Sequence, residues 1–359
     1  MTPAIVHVAS GREWRGGQRQ VWLLARELGR RGIDQVVITS GYSELARRLG
    51  SAGVRVRPVR WDAGLDPRVL PAIFGELRHQ RSILHAHDAH ALTLAGICAG
   101  LSGAPLVATR RVIFPLRRKL FWARAQRVIA ISQAVRDALI RDGLSPERLV
   151  VIPSAVDIAE LRADSGSDIR TRFGLPERGQ VAVSLGALTP EKDQSTLLEA
   201  AALLVRDLPE LHWVIVGEGP LRSVLQSQLA RLGLEARVHL VGHLADSHTA
   251  LIGADVFVLS SLAEGLGSSV LAAMALEVPV VATRVGGVPE LLGSGGGAMV
   301  PAGNPAKFAA AVRRVLADPG YAATLKQAAR RELGKFTVEG MAEQVGQVYR
   351  SCAHSLEGS

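Results

Sequence analysis

Short apolar runs typical of buried strands alternate with amphipathic helical patterns along almost the whole chain. The first half begins with AIVHVA, a glycine-containing loop, the helical pattern VWLLARELGRRG and a second apolar run, QVVITS. This alternation of strand and helix patterns is typical of parallel sheets, in which helices connect neighbouring strands. It weakens between Asp157 and Gln180 and then resumes with VAVSLG, HWVIVG, RVHLVG, VFVLSS and PVVATR. The pattern predicts two doubly wound α/β domains joined by a connection at 157–180.

Length and composition agree with this two-domain prediction. The chain has 359 residues, of which 48% are hydrophobic and 4% aromatic, as suits helices packed on buried parallel strands. We predict an N-terminal domain over residues 1–165 and a C-terminal domain over 166–337. Cys98 and Cys352 lack the spacing of metal ligands, which indicates a reducing compartment. The sequence shows no secretory signal, and Gly and Pro interrupt its longest uncharged run, so we predict no transmembrane helix.

The net charge of +9 is concentrated in the first half, where residues 1–170 hold 26 Lys and Arg against 15 Asp and Glu. Such asymmetry often marks an anionic partner. A basic and aromatic cluster lies at 110–127, but no nucleic-acid motif accompanies it. We predict that it meets anionic lipid headgroups or a phosphorylated, lipid-linked glycan; a solvated basic helix is the alternative. Its members are Arg110, Arg111, Arg117, Arg118, Lys119, Arg124 and Arg127, among Phe114, Leu116, Leu120, Phe121 and Trp122.

Three loops that follow predicted strands have the composition of a phosphate and sugar site. Gly16 and Gly17 lie just before a predicted helix, where backbone amides can approach a phosphate; a plain turn is the alternative. Lys192 lies in the first turn of a helix predicted from Pro190, a place unfavourable for a cation without an anionic ligand. A solvated surface lysine is the alternative there.

The third loop contains Glu264, and Ser268 and Ser269 are predicted to cap the helix that follows it. A carboxylate beside the amides of a helix start suits sugar hydroxyls next to phosphate oxygens. The alternative is an acid that only stabilises the helix N-terminus.

The motif HAHDAH contains His85, His87, Asp88 and His90 after another predicted buried strand. Its spacing is loose for a metal site, and no further ligand cluster accompanies it. We predict no metal site and assign His87 or Asp88 to the acceptor side of a ligand cleft; a plain polar strand end is the alternative.

The segments GGQRQ, ALTPEK, VIVGEGPLR, RVHLVGHLAD and ADVFVLSSLAEGLGSSVLAAMALEVPVVATRVGGVPELL resemble, in this order, the retaining GT-B glycosyltransferases of family 4. The resemblance spans nearly the whole chain. It implies an α/β fold of two Rossmann-like doubly wound domains facing across a cleft. It also implies a nucleotide sugar in the C-terminal domain, an acceptor mainly in the N-terminal domain and no catalytic metal. The last helix, at 338–356, is then expected to pack back on the first domain.

The resemblance also implies roles for individual residues. Lys192 matches the lysine that neutralises the donor diphosphate, and Glu264 matches the first glutamate, which contacts the transferred sugar. Gly16 and Gly17 match the loop near the distal phosphate. The other donor-side positions are His243 and Leu244, near the base, Leu266, Gly267, Ser268 and Ser269 at the helix start, and the structural pair Gly286 and Gly287.

Three positions depart from the family pattern. Ala272 replaces the second glutamate, which usually holds the ribose hydroxyls, and Ala187 replaces an arginine beside the lysine. Arg111 stands where many members have a histidine near the sugar. One interpretation is that water or a neighbouring residue makes the contacts that these positions lack. The other is that the protein has lost activity. Arg110 or Arg111 is a candidate for the missing positive charge, because guanidinium binds phosphate bidentately.

The sequence therefore predicts a metal-independent, cofactor-free, hexosyltransferase-like enzyme. We expect a donor of UDP, GDP or ADP type and an envelope glycan, lipopolysaccharide or lipid-linked acceptor, and no nucleic-acid partner. The expected location is the cytoplasm, at the inner face of the cytoplasmic membrane. A nucleotide-sugar epimerase of the same fold and a binding subunit that has lost transfer remain as alternatives. A dinucleotide oxidoreductase is disfavoured, because Arg222 replaces the last glycine of GxGxxG.

Overall fold

The chain folds into two compact units. Residues 3–62, 64–78, 82–117, 119–163, 166–293 and 295–354 are described by a computed structural model. The first unit comprises residues 1–155 and 336–359, and the second comprises residues 156–335. Each contains a parallel sheet with helices between its strands, which confirms the predicted pair of doubly wound α/β domains.

Parallel strands form the sheet of the first unit. They are β1 (Ala4–Ala9), β2 (Gln35–Ser40), β3 (Val56–Val59), β4 (Ser82–Ala86), β5 (Leu106–Arg110), β6 (Arg127–Ala130) and β7 (Leu149–Val151). Their order is β3-β2-β1-β4-β5-β6-β7, so the direction of winding reverses between β1 and β4. Ligands of doubly wound sheets bind at the carboxyl ends of the strands, beside such a reversal.

Helices of the first unit come from both ends of the chain. They are α1 (Gly16–Arg30), α2 (Glu44–Ser51), α3 (Leu70–Arg78), α4 (Ala89–Ser102), α5 (Lys119–Arg124), α6 (Gln133–Arg141) and α15 (Val338–His354). The buried residues of α15 recur at helical spacing, at Val338, Met341, Val345 and Tyr349, and share one core with α1.

The second unit has its own sheet. Its strands are β8 (Gln180–Leu185), β9 (Leu211–Val216), β10 (Val238–Gly242), β11 (Val256–Leu259), β12 (Val280–Thr283) and β13 (Ala298–Val300). They pair in the order β10-β9-β8-β11-β12-β13, with the reversal between β8 and β11. Its helices are α7 (Ile158–Ala163), α8 (Ile169–Phe173), α9 (Gln194–Leu204), α10 (Arg222–Arg231), α11 (Ser268–Ala275), α12 (Val288–Leu292), α13 (Pro305–Ala317) and α14 (Pro319–Leu333).

The segment predicted as the interdomain connection, 157–180, belongs to the second unit, so that prediction is wrong. It contains α7 and α8, and Asp168 caps α8 by accepting a hydrogen bond from the Arg170 amide. The Arg170 guanidinium donates to Asp255 at 2.5 Å and to the Gly179 carbonyl at 3.0 Å. Charged residues that suggested a linker therefore pair within the folded unit.

Candidate functional site

Lys192 and Glu264 form an ion pair at the reversal point of the second sheet. Lys192 follows β8 and Glu264 follows β11, the two strands between which the winding reverses. The ammonium group of Lys192 donates to Oε1 of Glu264, whose residue is only 8% exposed. The structure thus brings together the two residues to which we assigned the chemistry, at the edge where such sheets bind ligands.

The local structure around Lys192 differs from the prediction. Pro190–Lys192 form a single 3₁₀ turn, and α9 begins only at Gln194, so the predicted helix start at Pro190 is wrong. The break occurs at Asp193, which has a left-handed φ of 46° that helices do not contain. The Ser260 hydroxyl donates to the Lys192 carbonyl at 2.9 Å and ties this turn to the end of β11. Lys192 is therefore positioned by a turn and not by a helix.

Glu264 is held in place through both its side chain and its backbone. The Ser261 hydroxyl donates to its carboxylate at 2.8 Å, and the Gly287 amide donates to its carbonyl at 3.3 Å. Gly286 has φ 50°, and a Cβ added there would lie 1.8 Å from the Glu264 carbonyl oxygen. This close approach requires glycine at Gly286, the first residue of the predicted structural pair.

The start of α11 lies three residues beyond Gly265. Gly267, at φ 102°, is the N-cap, and no side chain caps the helix. The predicted capping by Ser268 and Ser269 is therefore wrong, since both are residues of the first turn. Leu266 is buried and anchors the loop. Within the described residues no side-chain cap covers the first amides of α11, so they can bind an anion.

Other donor-side positions lie elsewhere in the unit. His243 and Leu244 follow β10, which β9 separates from β8 in the sheet. His243 is exposed and Leu244 half-buried, and within the described residues no hydrogen bond joins either of them to the ion pair. Ala272 is half-buried in α11, and the Ala187 carbonyl accepts a hydrogen bond from the Gln194 side chain at 2.8 Å.

In the first unit, Gly16 and Gly17 are the first two residues of α1, not a loop before it as predicted. Arg15 is the N-cap, and its side chain makes no capping hydrogen bond. The Arg111 side chain lies against this helix start, because a Cβ on Gly17 would be 3.7 Å from its Cδ. Uncapped amides beside a guanidinium are a suitable site for a phosphate.

Arg111 has unused hydrogen-bonding capacity. Its Nε and Nη1 atoms are buried without a partner in the described part of the chain. Burial lowers the pKa of Arg111 to about 10, and the charge of Asp88 opposes this shift. The guanidinium therefore remains charged at neutral pH and available to an anionic or hydroxyl group.

Arg110, the other candidate cation, contacts its own loop. It donates to the Val112 carbonyl at 3.0 Å and to the Phe114 carbonyl at 2.5 Å. Its guanidinium also lies 5.3 Å from the ring centre of Trp122. These contacts fix the loop that follows β5 and leave Arg110 less free than Arg111 to bind a ligand.

The HAHDAH motif separates into two structural roles. Asp88 caps α4, accepting from the amides of His90 and Ala91, and it also accepts from the amide and hydroxyl of Ser10 at 2.8 and 2.6 Å. It thereby joins the loops that follow β1 and β4. His87 instead turns into the core of the unit.

His87 belongs to a buried cluster that sequence reasoning missed. Its other members are His85 and His7, which lie opposite each other on β4 and β1. One nitrogen from each ring lies within 4.8 Å of the others. Burial lowers the pKa of His7 to about 4 and those of His85 and His87 well below 6.5, so all three are neutral at pH 7. The histidine in AIVHVA, a polar residue within an apolar strand, was the available signal.

A cavity of about 410 Å³ opens beside these loops in the first unit. It is lined by Ser10, Gly11, Arg12, Glu13, Arg15, Gln18, Trp61, Asp62, Gly64 and His90. Its lining is rich in charged and hydrogen-bonding side chains, which can bind hydroxyl groups.

Comparison with solved structures identifies the fold. The structure of Anabaena HepE in complex with UDP and glucose superposes with a TM-score of 0.85 at 23% identity, covering 97% of this chain and 100% of that one. Two family models match the sequence: Glycosyltransferase Family 4 over residues 14–160 and Glycosyl transferases group 1 over residues 167–332. The chain belongs to the family 4 glycosyltransferases of the GT-B fold. This confirms the family and fold predicted from the motifs.

Two curated relatives are similar in sequence to this chain over different shares of its length. The 2-deoxystreptamine glucosyltransferase of Streptomyces kanamyceticus is 27% identical over 347 residues, which cover 84% of this chain and 90% of that protein. The D-inositol 3-phosphate glycosyltransferase of Streptomyces bingchenggensis is 32% identical over 242 residues, covering 63% and 52%. The chain spans about half the length of several curated relatives that it matches.

Proposed function

We propose that this chain is a retaining glycosyltransferase that moves a sugar from a nucleoside diphosphate to a glycan, lipopolysaccharide or lipid-linked acceptor of the cell envelope. The observation that carries the proposal is the ion pair between Lys192 and Glu264 at the reversal point of the second sheet. Without a donor, the two side chains satisfy each other. With a donor bound, Lys192 turns to the diphosphate, while Glu264 keeps its bond to Ser261 and receives a sugar hydroxyl.

Charge stabilisation supplies most of the catalysis in this proposal. The bond between the anomeric carbon and the diphosphate breaks, and the acceptor hydroxyl attacks the same face of the sugar. The hydroxyl proton passes to the leaving phosphate oxygen, so the products are a glycoside and a nucleoside diphosphate. Lys192 and the first amides of α11 stabilise the charge that develops on the leaving group, without a metal.

Similar proteins support a uridine donor among the UDP, GDP and ADP types. The crystal structures of Anabaena HepE contain UDP, UDP with glucose, or UDP-glucose. The relatives named above are described as acting on a deoxystreptamine and on an inositol phosphate, which are both polyhydroxylated rings. The hydrogen-bonding side chains that line the cavity of the first unit suit an acceptor of that chemistry.

The first test determines the donor and separates the rival functions. A thermal-shift panel of UDP, GDP, ADP, CMP and dTDP sugars reveals the donor, because a ligand at 100 times its Kd stabilises the folded state by about 2.7 kcal/mol. The proposal then predicts nucleoside diphosphate release that depends on an acceptor, with a product of retained anomeric configuration by NMR. Epimerised donor without acceptor favours the epimerase, and the absence of any binding favours a subunit without transfer activity.

A surface of the first unit is suited to an anionic membrane. The lipid-facing patch, defined as Phe114, Arg117, Lys119, Leu120 and Arg124, combines exposed apolar side chains with exposed cations. Arg118 lies outside the described residues. Phe114 is 45% exposed and Leu120 59% exposed. Among the described residues, no helix combines the length and apolar character needed to cross a bilayer. We infer peripheral attachment through this patch, at the cytoplasmic face.

Replacing both apolar side chains of the patch, as in Phe114→Ser with Leu120→Ser, should lower binding to anionic vesicles at least about tenfold, because two inserted side chains are lost. Co-flotation with vesicles that contain phosphatidylglycerol measures the effect. The matched control is Leu203→Ser, which removes an equally exposed leucine, 55% exposed, from the second unit. Equal flotation of all variants, or equal flotation on neutral vesicles, contradicts the assignment.

The alanine at the ribose position gives a further prediction. Ala272→Glu should tighten donor binding roughly tenfold or more, because a hydrogen bond to a charged group contributes about 1.5 to 3 kcal/mol. Calorimetric titration with the donor measures it. Ala272→Leu is the control for added bulk without a hydrogen bond. Unchanged or weaker binding by the Glu variant means that this chain holds its nucleotide differently from its family.

A further inference from the structure

The hydrophobic core of the first unit contains a chain of polar side chains that ends at the carboxyl edge of its sheet. His7 and His85 are fully buried, and His87 is 5% exposed. His87 lies two residues beyond His85, so the two rings project from the same face of the sheet, and their ring centres are 4.0 Å apart. Buried imidazoles are costly unless their nitrogens are hydrogen-bonded. The partners of each nitrogen therefore determine what this cluster can do.

The hydrogen bonds of Gln35 determine which ring nitrogen of His7 carries the proton. The side-chain amide of Gln35 donates to the Ala25 carbonyl at 2.6 Å, which turns its Oε1 towards His7. This oxygen lies 3.1 Å from Nε2 of His7 and can only accept a hydrogen bond. Nε2 of His7 therefore carries the proton. Because the ring is neutral at pH 7, its Nδ1 has a free lone pair.

His7 in turn fixes the tautomer of His87. Nδ1 of His7 lies 2.9 Å from Nε2 of His87 and can only accept, so Nε2 of His87 must donate. His87 is neutral as well, and its remaining nitrogen, Nδ1, therefore holds a lone pair. The nitrogens of His85 contact the hydroxyls of Tyr349 and Thr109, at 2.6 and 2.7 Å, and hydroxyls impose no tautomer because they donate and accept equally well.

The lone pair of His87 has no partner in the described part of the chain. Nδ1 is buried, as are Nε and Nη1 of Arg111, which also lack partners. Burial is the main cause of the lowered pKa of His87, and the charges of His85, His7 and Arg111 add to it, so Arg111 belongs to the surroundings of this ring. Nδ1 of His87 is therefore a hydrogen-bond acceptor, and Nε and Nη1 of Arg111 are two donors, and none of them is bonded to another. A hydroxyl group satisfies both kinds at once, because it can donate to the imidazole and accept from the guanidinium.

We propose that Gln35 and His7 act as positioning residues that keep His87 in one neutral tautomer, and that Nδ1 of His87 binds a hydroxyl of the sugar substrate to which Arg111 also donates. This rests on the function proposed above. His87 immediately follows β4, one of the two strands at the reversal point, and precedes the Asp88 cap that joins the loops after β1 and β4. The relay therefore ends where doubly wound sheets bind their ligands.

The tautomer is tested without any activity assay. In the ¹⁵N NMR spectrum of the histidine-labelled full chain, Nε2 of His87 should be protonated and Nδ1 should resonate as an unprotonated nitrogen. Addition of glucose as the probe hydroxyl should shift Nδ1 of His87 and leave His243 unchanged. A protonated Nδ1, or no shift at saturating glucose, overturns the proposal. Stoichiometric binding of Zn²⁺ that moves all three histidines also overturns it, since the cluster is then a metal site.

Two substitutions of His87 separate substrate binding from a structural role. A glutamine amide reaches the position of Nε2 and keeps the bond to His7, whereas an asparagine amide reaches the position of Nδ1 and keeps an acceptor there. We expect H87Q to lose roughly tenfold in kcat and H87N to lose less than threefold. A structural role predicts the opposite ranking and overturns the proposal.

Positioning by Gln35 has a matched control. Gln35→Leu should lower kcat roughly tenfold with little change in donor Kd, because the tautomer of His87 is no longer fixed. Gln20 is a second buried glutamine, and its side chain hydrogen-bonds the backbone amide and carbonyl of Ala155. The Gln20→Leu variant loses both bonds and should keep the wild-type kcat. Equal losses in both variants overturn the positioning role. If wild type turns over no donor, the proposed function fails, while the NMR and glucose results still decide the relay.

Discussion

We expect the Lys192→Ala variant to lose at least about a hundredfold in kcat/KM for sugar transfer. Lys192 is the cation that we propose for the diphosphate site, and Ala187 stands where the family resemblance implies an arginine beside it. Removing one preorganised donor from a charge-stabilising site typically costs 100- to 1,000-fold. Steady-state kinetics with the donor found in the thermal-shift panel measures the loss. Glu264→Gln, which keeps the shape but removes the charge, should also lose activity.

Lys307→Ala is the matched control, because Lys307 is an exposed lysine of the same unit. Its kinetics should equal those of the wild type. Lys192→Ala also leaves the buried carboxylate of Glu264 without its cation, so circular dichroism and thermal unfolding must show that the variant is folded. A folded Lys192→Ala variant with wild-type kcat/KM contradicts the assignment of this residue.

The second large effect is acid destabilisation of the first unit. Burial lowers the pKa of His7 to about 4, against 6.5 for an ordinary histidine, and a hydrogen bond with Gln35 opposes the shift. The unfolded chain therefore takes up a proton before the folded chain does as the pH falls. The contribution of neutral His7 to the free energy of unfolding is fully present above pH 6.5 and is lost as the pH falls towards 4. His7 alone accounts for roughly 3 kcal/mol of unfolding free energy.

Neighbouring charges act in the same direction. Burial is the main cause of the lowered pKa values of His85 and His87, and the charges of His7 and Arg111 add to it. Burial also raises the pKa of Tyr349 well above its usual value, so its hydroxyl is neutral. The folded cluster should therefore take up protons at a lower pH than the unfolded chain does. The loss for the whole cluster is expected to exceed that for His7 alone.

Chemical unfolding at pH 7.5 and pH 4.5, followed by tryptophan fluorescence, measures this loss. Four of the five tryptophans lie in the first unit, so the signal reports mainly on that unit. His7→Gln should flatten the pH dependence, and His243→Gln, which changes an exposed histidine, should leave it as in the wild type. Equal unfolding free energies at the two pH values contradict a buried neutral cluster.

Sequence periodicity predicted much of the fold because buried parallel strands are apolar along their whole length and helices show one apolar stripe. It failed where backbone conformation depends on contacts that no pattern contains. Asp193 interrupts a segment predicted as one helix. The charged stretch around Arg170 is held in the folded unit by its pairing with Asp255, which is distant in sequence. Both outcomes depend on tertiary contacts.

The candidate site was predictable in part. Lys192 and Glu264 were found through motifs, and the sheet order places them together. The relay of Gln35, His7 and His87 was not found, because it depends on which strands are neighbours. Tyr349 contacts His85 across 264 residues of sequence, a pairing that one sequence without its fold does not reveal.

Calorimetric titration of the nucleotide-sugar donor into wild type and Lys192→Ala measures whether the donor diphosphate binds at Lys192. We expect one donor per wild-type chain and binding at least about tenfold weaker in the variant. No heat with any donor of the panel, or equal affinity in the two proteins, would contradict this expectation.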